Sequence, residues 1–456
     1  MQRGTFWHPR IMAEQRRIER LGPSDLTELA SDVGPVPMNV GAVLFLAGDG
    51  TVDSATIEAT LTKRISGIRR LRQCLGDPPP GLGRPYWADD EHYDVGAHFA
   101  RVRCPAPGDR DTALAIAVDA VTQPLPRSRP LWRAIIITDL ADNCGAVGLV
   151  MVLHHVLADG IGGLAILAHL VDGMAAAGSA DEIPATSPSP RPMELLADCA
   201  VERLRTLRQI PRTVAHVRGG WNELGHSIGR RAPRCSLNAP TGPRRRMTAV
   251  ETDLRTLREA GRSSGATVND VLLAAITGAL AVLLHRRGEF PLELVVSVPV
   301  SARRSTTSGH LGNQVGVMPV RVPLAGGPAE RLTAISRITR AQKIRTRGTS
   351  AALIGPLFRL LAAVKLFRWF VDRQRLVNSF LSNLPGPPSP LAIAGVPIAS
   401  MVPITVTAGN VGVAFAALSY AGTLTVTIIA DPDVVPEIDD LAAALHEQFR
   451  AIDEEA

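Results

Sequence analysis

The sequence predicts an α/β fold with mixed (α+β) sheets, divided into two or three domains. Three observations lead there. Apolar, β-branched runs such as Ala146–Leu153, Leu292–Val300 and Val413–Ser419 read as strands, and they alternate with runs whose apolar residues recur at helical spacing. At 456 residues the chain is too long for one ordinary core, so two or three domains are expected. Between Ala175 and Pro192 the composition shifts to Gly, Ser and Pro, as in a linker, and strands mix with helices in similar amounts on either side.

Composition narrows the function classes. Hydrophobic content of 46% with 20% charged residues describes a globular chain. The net charge of +6 favours anionic ligands or an anionic membrane surface. Nucleic acid is not expected, because no helix carries a dense basic face interleaved with aromatics. Five scattered cysteines (Cys74, Cys104, Cys144, Cys199, Cys235) with no Cys-x-x-Cys argue against a disulfide framework or structural zinc and point to a reducing cytoplasm. Met1–Arg20 is basic but lacks the apolar stretch of a signal peptide. No run reaches the roughly 18 apolar residues of a membrane span; Val271–Leu284 is the longest and reads as a core helix.

In chain order, Leu21-Gly-Pro-Ser-Asp25 opens the ordered chain, and Pro37–Leu46 reads as a strand ended by Gly48-Asp-Gly50. Thr51–Ser66 reads as a helix with Val52, Ile57, Leu61 and Ile65 on one side. Arg69–Tyr86 is loop-rich. A helix over Asp111–Val121 leads to Arg129-Pro-Leu-Trp-Arg133 and then the strand Ala134–Thr138. The turn Ala141-Asp-Asn-Cys-Gly145 makes that strand and Ala146–Leu153 a hairpin. Trp132 is a natural core anchor.

The second strand of the hairpin delivers His154-His155-Val-Leu-Ala-Asp159-Gly160 to the mouth where a helix begins, its face marked by Ile161, Leu164, Leu167, Leu170 and Val171. This helix is expected to reach about Met174. Histidine is a good base at neutral pH. Consecutive strand residues point to opposite faces, so one histidine meets the cavity, and His155 is the candidate base. Asp159 can pair with an arginine, Arg133 being a conceivable partner across the hairpin, or can cap the helix. Gly160 removes a Cβ where backbone or substrate comes close.

Past the linker, Met193–Leu224 is helical and basic, and Arg230–Arg246 is a loop ending in Gly242-Pro-Arg-Arg-Arg246. The three arginines form either a solvated face or a phosphate attractor. A strand over Met247–Asp253 and a helix near Leu254–Gly261 precede Ser264-Gly-Ala-Thr-Val-Asn269-Asp270, which opens a long apolar helix to about His285. Thr267 suits the N-cap, and Asn269 and Asp270 fall in the first turn, as helix-end residues or as part of a site. Strands Leu292–Val300 and Gly316–Val322 flank a loop with Gly312-Asn-Gln314. Ile354–Phe370 reads as a helix with apolar and basic faces, suited either to a membrane interface or to a lid whose basic residues snorkel. Phe380-Leu-Ser382-Asn383-Leu-Pro-Gly-Pro387 follows. A hairpin, Val413–Ser419 with Leu424–Ala430, and a helix over Glu437–Phe449 close the chain.

The His-His-x-x-x-Asp-Gly spacing resembles the acyltransferases that carry it: chloramphenicol acetyltransferase, peptide-synthetase condensation domains and the bacterial wax ester synthase/diacylglycerol acyltransferases. The last family is also matched at Leu21–Asp25, Pro37-Met38, Pro130-Leu-Trp132, Gly242–Arg246, Asn269-Asp270 and Ser382-Asn-x-Pro-Gly-Pro387, so the resemblance runs from about Leu21 to Phe449. Where that family has Pro-Met-His, this chain has Asn39.

The resemblance implies two chloramphenicol-acetyltransferase-like lobes around a tunnel: residues 1–178 carrying the motif, 179–245 as linker and crossover helices, and 246–456 as the second lobe. It implies an acyltransferase moving a fatty acyl group from acyl-coenzyme A to diacylglycerol or a long-chain fatty alcohol. His155 is then the general base, helped by His154, Asp159 and Gly160, and Asn269, Asp270, Trp132, Arg133, Ser382 and Asn383 lie near the site in binding or structural roles. Acyl-coenzyme A serves as substrate, and no metal or cofactor is implied. The acceptors place the protein in the cytoplasm at the surface of a membrane or lipid droplet; oligomeric state is left open. The rivals are a superfamily enzyme with another acceptor and a silent lipid- or coenzyme A-binding protein. Gly225-His-Ser227-Ile-Gly229 imitates a lipase elbow, but neither flank supplies the required strand and helix.

Overall fold

The computed structural model describes residues 18–48, 53–141, 145–173, 188–204, 231–301, 315–345 and 358–454. Among them two six-stranded sheets carry the fold. The first runs β11 (Ala392–Ile393), β12 (Val396–Ile404), β1 (Asn39–Leu46), β6 (Val147–His154), β5 (Trp132–Thr138), β4 (Phe99–Arg103). The second runs β7 (Arg246–Asp253), β14 (Thr423–Ala430), β13 (Val413–Tyr420), β10 (Ser379–Pro385), β8 (Glu293–Ser301), β9 (Val315–Pro323). In each sheet parallel and antiparallel pairs mix, with β4 parallel to β5 and β10 parallel to both β13 and β8.

The helices start where the chain supplies acceptors for orphan N–H groups. Asp53 caps α2 (Ser54–Ser66), Asp109 caps α3 (Arg110–Thr122) and Asp253 caps α5 (Leu254–Ser263). The opening α1 (Pro23–Ser31) has Pro at its start and Asp25 bonded back to the Gly22 N–H. The helix of the central motif, α4 (Gly160–Leu170), stops short of Met174. The apolar α6 (Val268–Arg286) has 19 residues, long enough to cross a membrane, yet most of it is buried in the second core, as the sequence leads one to expect.

Two apolar cores share the second sheet between them. Along β13, Val413, Phe415 and Ala417 face one core, while Ala414, Leu418 and Tyr420 face the other. Both faces of the strand are therefore dry, which is why its sequence reads as a continuous apolar run rather than an alternation. Helix α6, α7 (Pro328–Arg345) and α9 (Ile438–Glu454) pack on the outer face. The inner face meets the first lobe, where α3 touches β1, β6 and β7. An ion pair between Arg110 of α3 and Glu251 of β7 closes the edge of this contact.

The hairpins expected around the motif strand and at the chain's end are present, the latter turning at Ala421 and Gly422 with φ of 47° and 92°. Three expectations need correction. Arg69–Tyr86 is not simply loop, since β2 (Gln73–Gly76) pairs with β3 (Tyr86–Asp89). Residues 392–404, placed by sequence in the second lobe, join the first sheet, where β12 covers the edge that β1 would otherwise expose. The segment 354–370, described from 358, is not one helix. Lys365 turns it with φ of 58°, and the N–H groups of Leu366 and Lys365 bond back to the carbonyls of Leu361 and Ala362. A second short helix, α8 (Phe367–Val371), follows. Phe358, Phe367 and Phe370 pack on one another, so Leu360, Val364, Leu366 and Trp369 are the exposed apolar residues.

Candidate active site

β6 is buried at every position and ends at His154, which lies opposite Asn39 of β1. The Val156 N–H donates to His154 Nδ1 (3.1 Å), so the ring's hydrogen sits on Nε2, 3.2 Å from Asp32 Oδ2. Burial by itself would raise the Asp32 carboxyl. The hydrogen bond from His154, the Met38 N–H and Arg127 outweigh it and hold the group below its ordinary value. His154 is thus a buried clamp joining β6 to the end of α1 and to the Met38 loop. Asn39, in the place of the resembled family's histidine, donates to the carbonyls of Val121 and Gln123 at the end of α3.

His155 has left the strand. Its N–H donates to the Met38 carbonyl (2.8 Å), and its side chain is 26% exposed, against 5% for His154. The two rings do not simply take opposite faces of a strand. Both reach α1, where Glu28 Oε2 lies 3.8 Å from His155 Nδ1. Among the pair, the accessible ring is His155.

Asp159 is buried and caps α4, its Oδ1 accepting the Gly162 N–H at 2.8 Å. Arg133, considered as its partner, donates instead to Gln123 Oε1 at 3.0 Å. At Gly160 an added side chain would make Leu384 shift. A Cβ would lie 2.6 Å from both methyls of Leu384 on β10. The first turn of α4 therefore presses against the second sheet.

β10 joins the remaining motifs. On the strand's period of two, Ser382 shares the face of Leu384, toward α4, while Asn383 turns to the other face. There Asn383 Nδ2 donates to Asn269 Oδ1 (2.5 Å) in the first turn of α6. Asp270 is structural. One oxygen takes the Thr267 N–H and hydroxyl, and the other takes the Thr339 hydroxyl of α7. Trp132 is a core anchor, donating to the Leu71 carbonyl (2.7 Å) and stacked on His98. Arg244 pairs with Asp433 and Arg246 with Asp439 at the surface, while Arg245 is buried against Asp431 and the Thr407 carbonyl. Of the triplet, only Arg245 is withdrawn from solvent and so from any phosphate. Ser227 and Gly312–Gln314 lie outside the described residues.

Two residues escaped the sequence reading, Glu28 and Asp32. Their signal was present: Gly22-Pro-Ser-Asp25 is a helix start, and acids four apart after it share a helix face.

A family model described as the wax ester synthase/diacylglycerol acyltransferase catalytic domain matches residues 21–272, and the WS/DGAT C-terminal domain matches residues 311–453. A Mycobacterium tuberculosis protein named diacylglycerol O-acyltransferase tgs1 is 31% identical over 424 residues, covering 90% of each chain. Among solved structures, a wax ester synthase/diacylglycerol acyltransferase from Marinobacter aquaeolei VT8 superposes with a TM-score of 0.69 at 22% identity, covering 96% of this chain and 99% of that one. The first condensation domain of the calcium-dependent antibiotic synthetase gives 0.63 at 18%, covering 97% and 96%. At those identities the structural likeness concerns the fold.

Proposed function

Because the chain belongs to the wax ester synthase/diacylglycerol acyltransferase family and is an acyltransferase, we propose that it moves a fatty acyl group from acyl-coenzyme A to the hydroxyl of diacylglycerol, and to long-chain fatty alcohols as alternative acceptors. The observation that carries this reading is the convergence of three distant motifs. Gly160 of the histidine motif abuts Leu384 of β10, and the adjoining Asn383, on the other face of that strand, bonds Asn269, so β10 ties the histidine motif to the start of α6.

The chemistry needs one base. As the acceptor oxygen bonds to the thioester carbonyl carbon, His155 Nε2 takes the hydroxyl proton. The tetrahedral intermediate collapses, the C–S bond breaks, and the same nitrogen returns the proton to the departing thiolate. Ester and free thiol are the products, with no covalent enzyme intermediate and no metal or tightly held cofactor. His154, Asp159 and Gly160 serve by holding the loop. Incubation with palmitoyl-coenzyme A and either diolein or hexadecanol should release thiol and form the matching ester by mass spectrometry. Thiol release with neither acceptor would overturn the reading and favour a silent binding protein, and an ester with neither but with another alcohol would favour a different acceptor class.

These acceptors reside in lipid, so the proposed protein works in the cytoplasm at a membrane or droplet surface. The docking segment is 358–371. Arg359 is occupied by the Pro23 carbonyl, which leaves Lys365, and Arg368 with its exposed surface pair to Asp372, to meet anionic head groups beside the exposed Leu360, Val364, Leu366 and Trp369. Each cation contributes about 1 kcal/mol at such a surface. Lys365→Glu with Arg368→Glu should release the protein from anionic vesicles in co-sedimentation while turnover of a soluble short-chain alcohol persists. Undiminished sedimentation would place docking elsewhere.

A further inference from the structure

Two carboxylates of α1 face the two histidines of the motif. Glu28 and Asp32 are four residues apart, a spacing that stacks side chains on one helix face. Asp32 takes His154, and Glu28 Oε2 lies 3.8 Å from His155 Nδ1. Both members of the second pair are about a quarter exposed, at 26% and 27%, so neither is shielded from a bound substrate. Among the described residues Glu28 has no other ion-pair partner than His155. The chain thus contains two acid–histidine pairs side by side, one buried and one open. The buried pair has a clear structural task.

We propose that Glu28 is a positioning residue for His155, an assignment that rests on the acyl transfer argued above. Its carboxylate draws the Nδ1–H of the ring toward α1 and leaves Nε2 unprotonated, directed away from the helix and toward the reacting atoms. A 3.8 Å separation exceeds a hydrogen bond, but such contacts are often long in an empty site and tighten in the substrate complex. The charge has a second use. When the acceptor oxygen bonds to the thioester carbon and its proton passes to Nε2, the ring becomes a cation beside the Glu28 carboxylate. When the C–S bond breaks and the proton leaves with the thiolate, the ring is neutral again. Glu28 takes no proton in either step, so the pairing strengthens only while charge develops on the ring, which is the kind of interaction that raises kcat rather than lowering KM.

The test separates charge from shape. Glu28→Gln keeps the size and one acceptor oxygen, whereas Glu28→Ala removes both. With palmitoyl-coenzyme A and the better acceptor, kcat should fall about tenfold in the Gln variant and further in the Ala variant, a size set by one charge pair near 4 Å. KM for both substrates should stay within about twofold, with the melting temperature unchanged; a merely structural role would move KM and melting together. A second readout needs no turnover. Nitrogen-15 spectra of histidine-labelled protein, assigned with His155→Ala, report which ring nitrogen carries the hydrogen. The Nδ1–H form is expected in the parent and a mixture of tautomers in Glu28→Ala. Parental kcat in both variants, or an unchanged His155 tautomer, overturns the role of Glu28. Failure of the parent itself to form ester counts against acyl transfer, and the spectra still decide the Glu28–His155 pairing.

Discussion

Replacing Gly160 by alanine probes the contact that joins the two lobes at the site. The new Cβ would stand 2.6 Å from both Leu384 methyls and 3.1 Å from its Cγ. Carbon atoms prefer about 3.5–4.0 Å, so Leu384 or the start of α4 must move by about 1 Å. Because the atoms met are the end of a half-buried, flexible side chain, the overpacking cost sits at the low end, about 1 kcal/mol. The better helix propensity of alanine returns at most about 1 kcal/mol, leaving little net change in stability. Activity should suffer more than stability. Misplacement by 1 Å near the chemistry can cost about a hundredfold in rate, and Gly160 follows Asp159 and lies five residues from His155. Ester formation by Gly160→Ala should therefore drop about a hundredfold with only a small decrease in melting temperature. Leu384→Ala makes room for the added methyl, so the double variant should regain much of the lost rate. Wild-type turnover in Gly160→Ala, or losses that simply add in the double variant, would refute the idea that this contact sets the site's geometry.

Asp159→Asn retains an acceptor oxygen for the Gly162 N–H, so melting and turnover should both change little, whereas Asp159→Ala should lower both together; a large loss of turnover in the Asn variant at parental melting would show that the charge itself serves the reaction. Asp32→Asn should be most destabilising near neutral pH. The folded-state value of Asp32 lies below its ordinary 3.8, so its stabilisation is fully present above that value and is lost as pH falls through the lower folded value. Melting curves of parent and variant should accordingly converge below about pH 4, and a gap that stays constant into acid would contradict the assigned role of the Asp32 carboxylate.

Much of this architecture is legible in local sequence because its causes are local. The helix at Leu254 begins where Asp253 supplies a cap, and the hairpin at Ala421-Gly422 turns where two residues accept positive φ. Trp132 reads as a core anchor and is one. What escaped is long-range. Residues 392–404 are not among the strands expected from the sequence, and their place in the first sheet depends on the open edge of β1, about 350 residues earlier. The arginines at 244–246 look alike, and only the positions of Asp431, Asp433 and Asp439 decide that one is buried and two are exposed. At the site, the histidines, Asp159 and Gly160 announce themselves as a motif. Glu28 and Asp32 do not, because their meaning arises only when α1 is folded against the end of β6.

The central claim is that His155 is the base of a direct acyl transfer. Its most direct test is the turnover of His155→Ala with palmitoyl-coenzyme A and diolein or hexadecanol, measured by thiol release beside a melting curve showing the variant folded. General-base assistance is worth about 10²–10⁴-fold, so kcat should fall by at least about a hundredfold, with His154→Ala losing less turnover and more stability. A folded His155→Ala protein turning over at the parental rate would contradict the account.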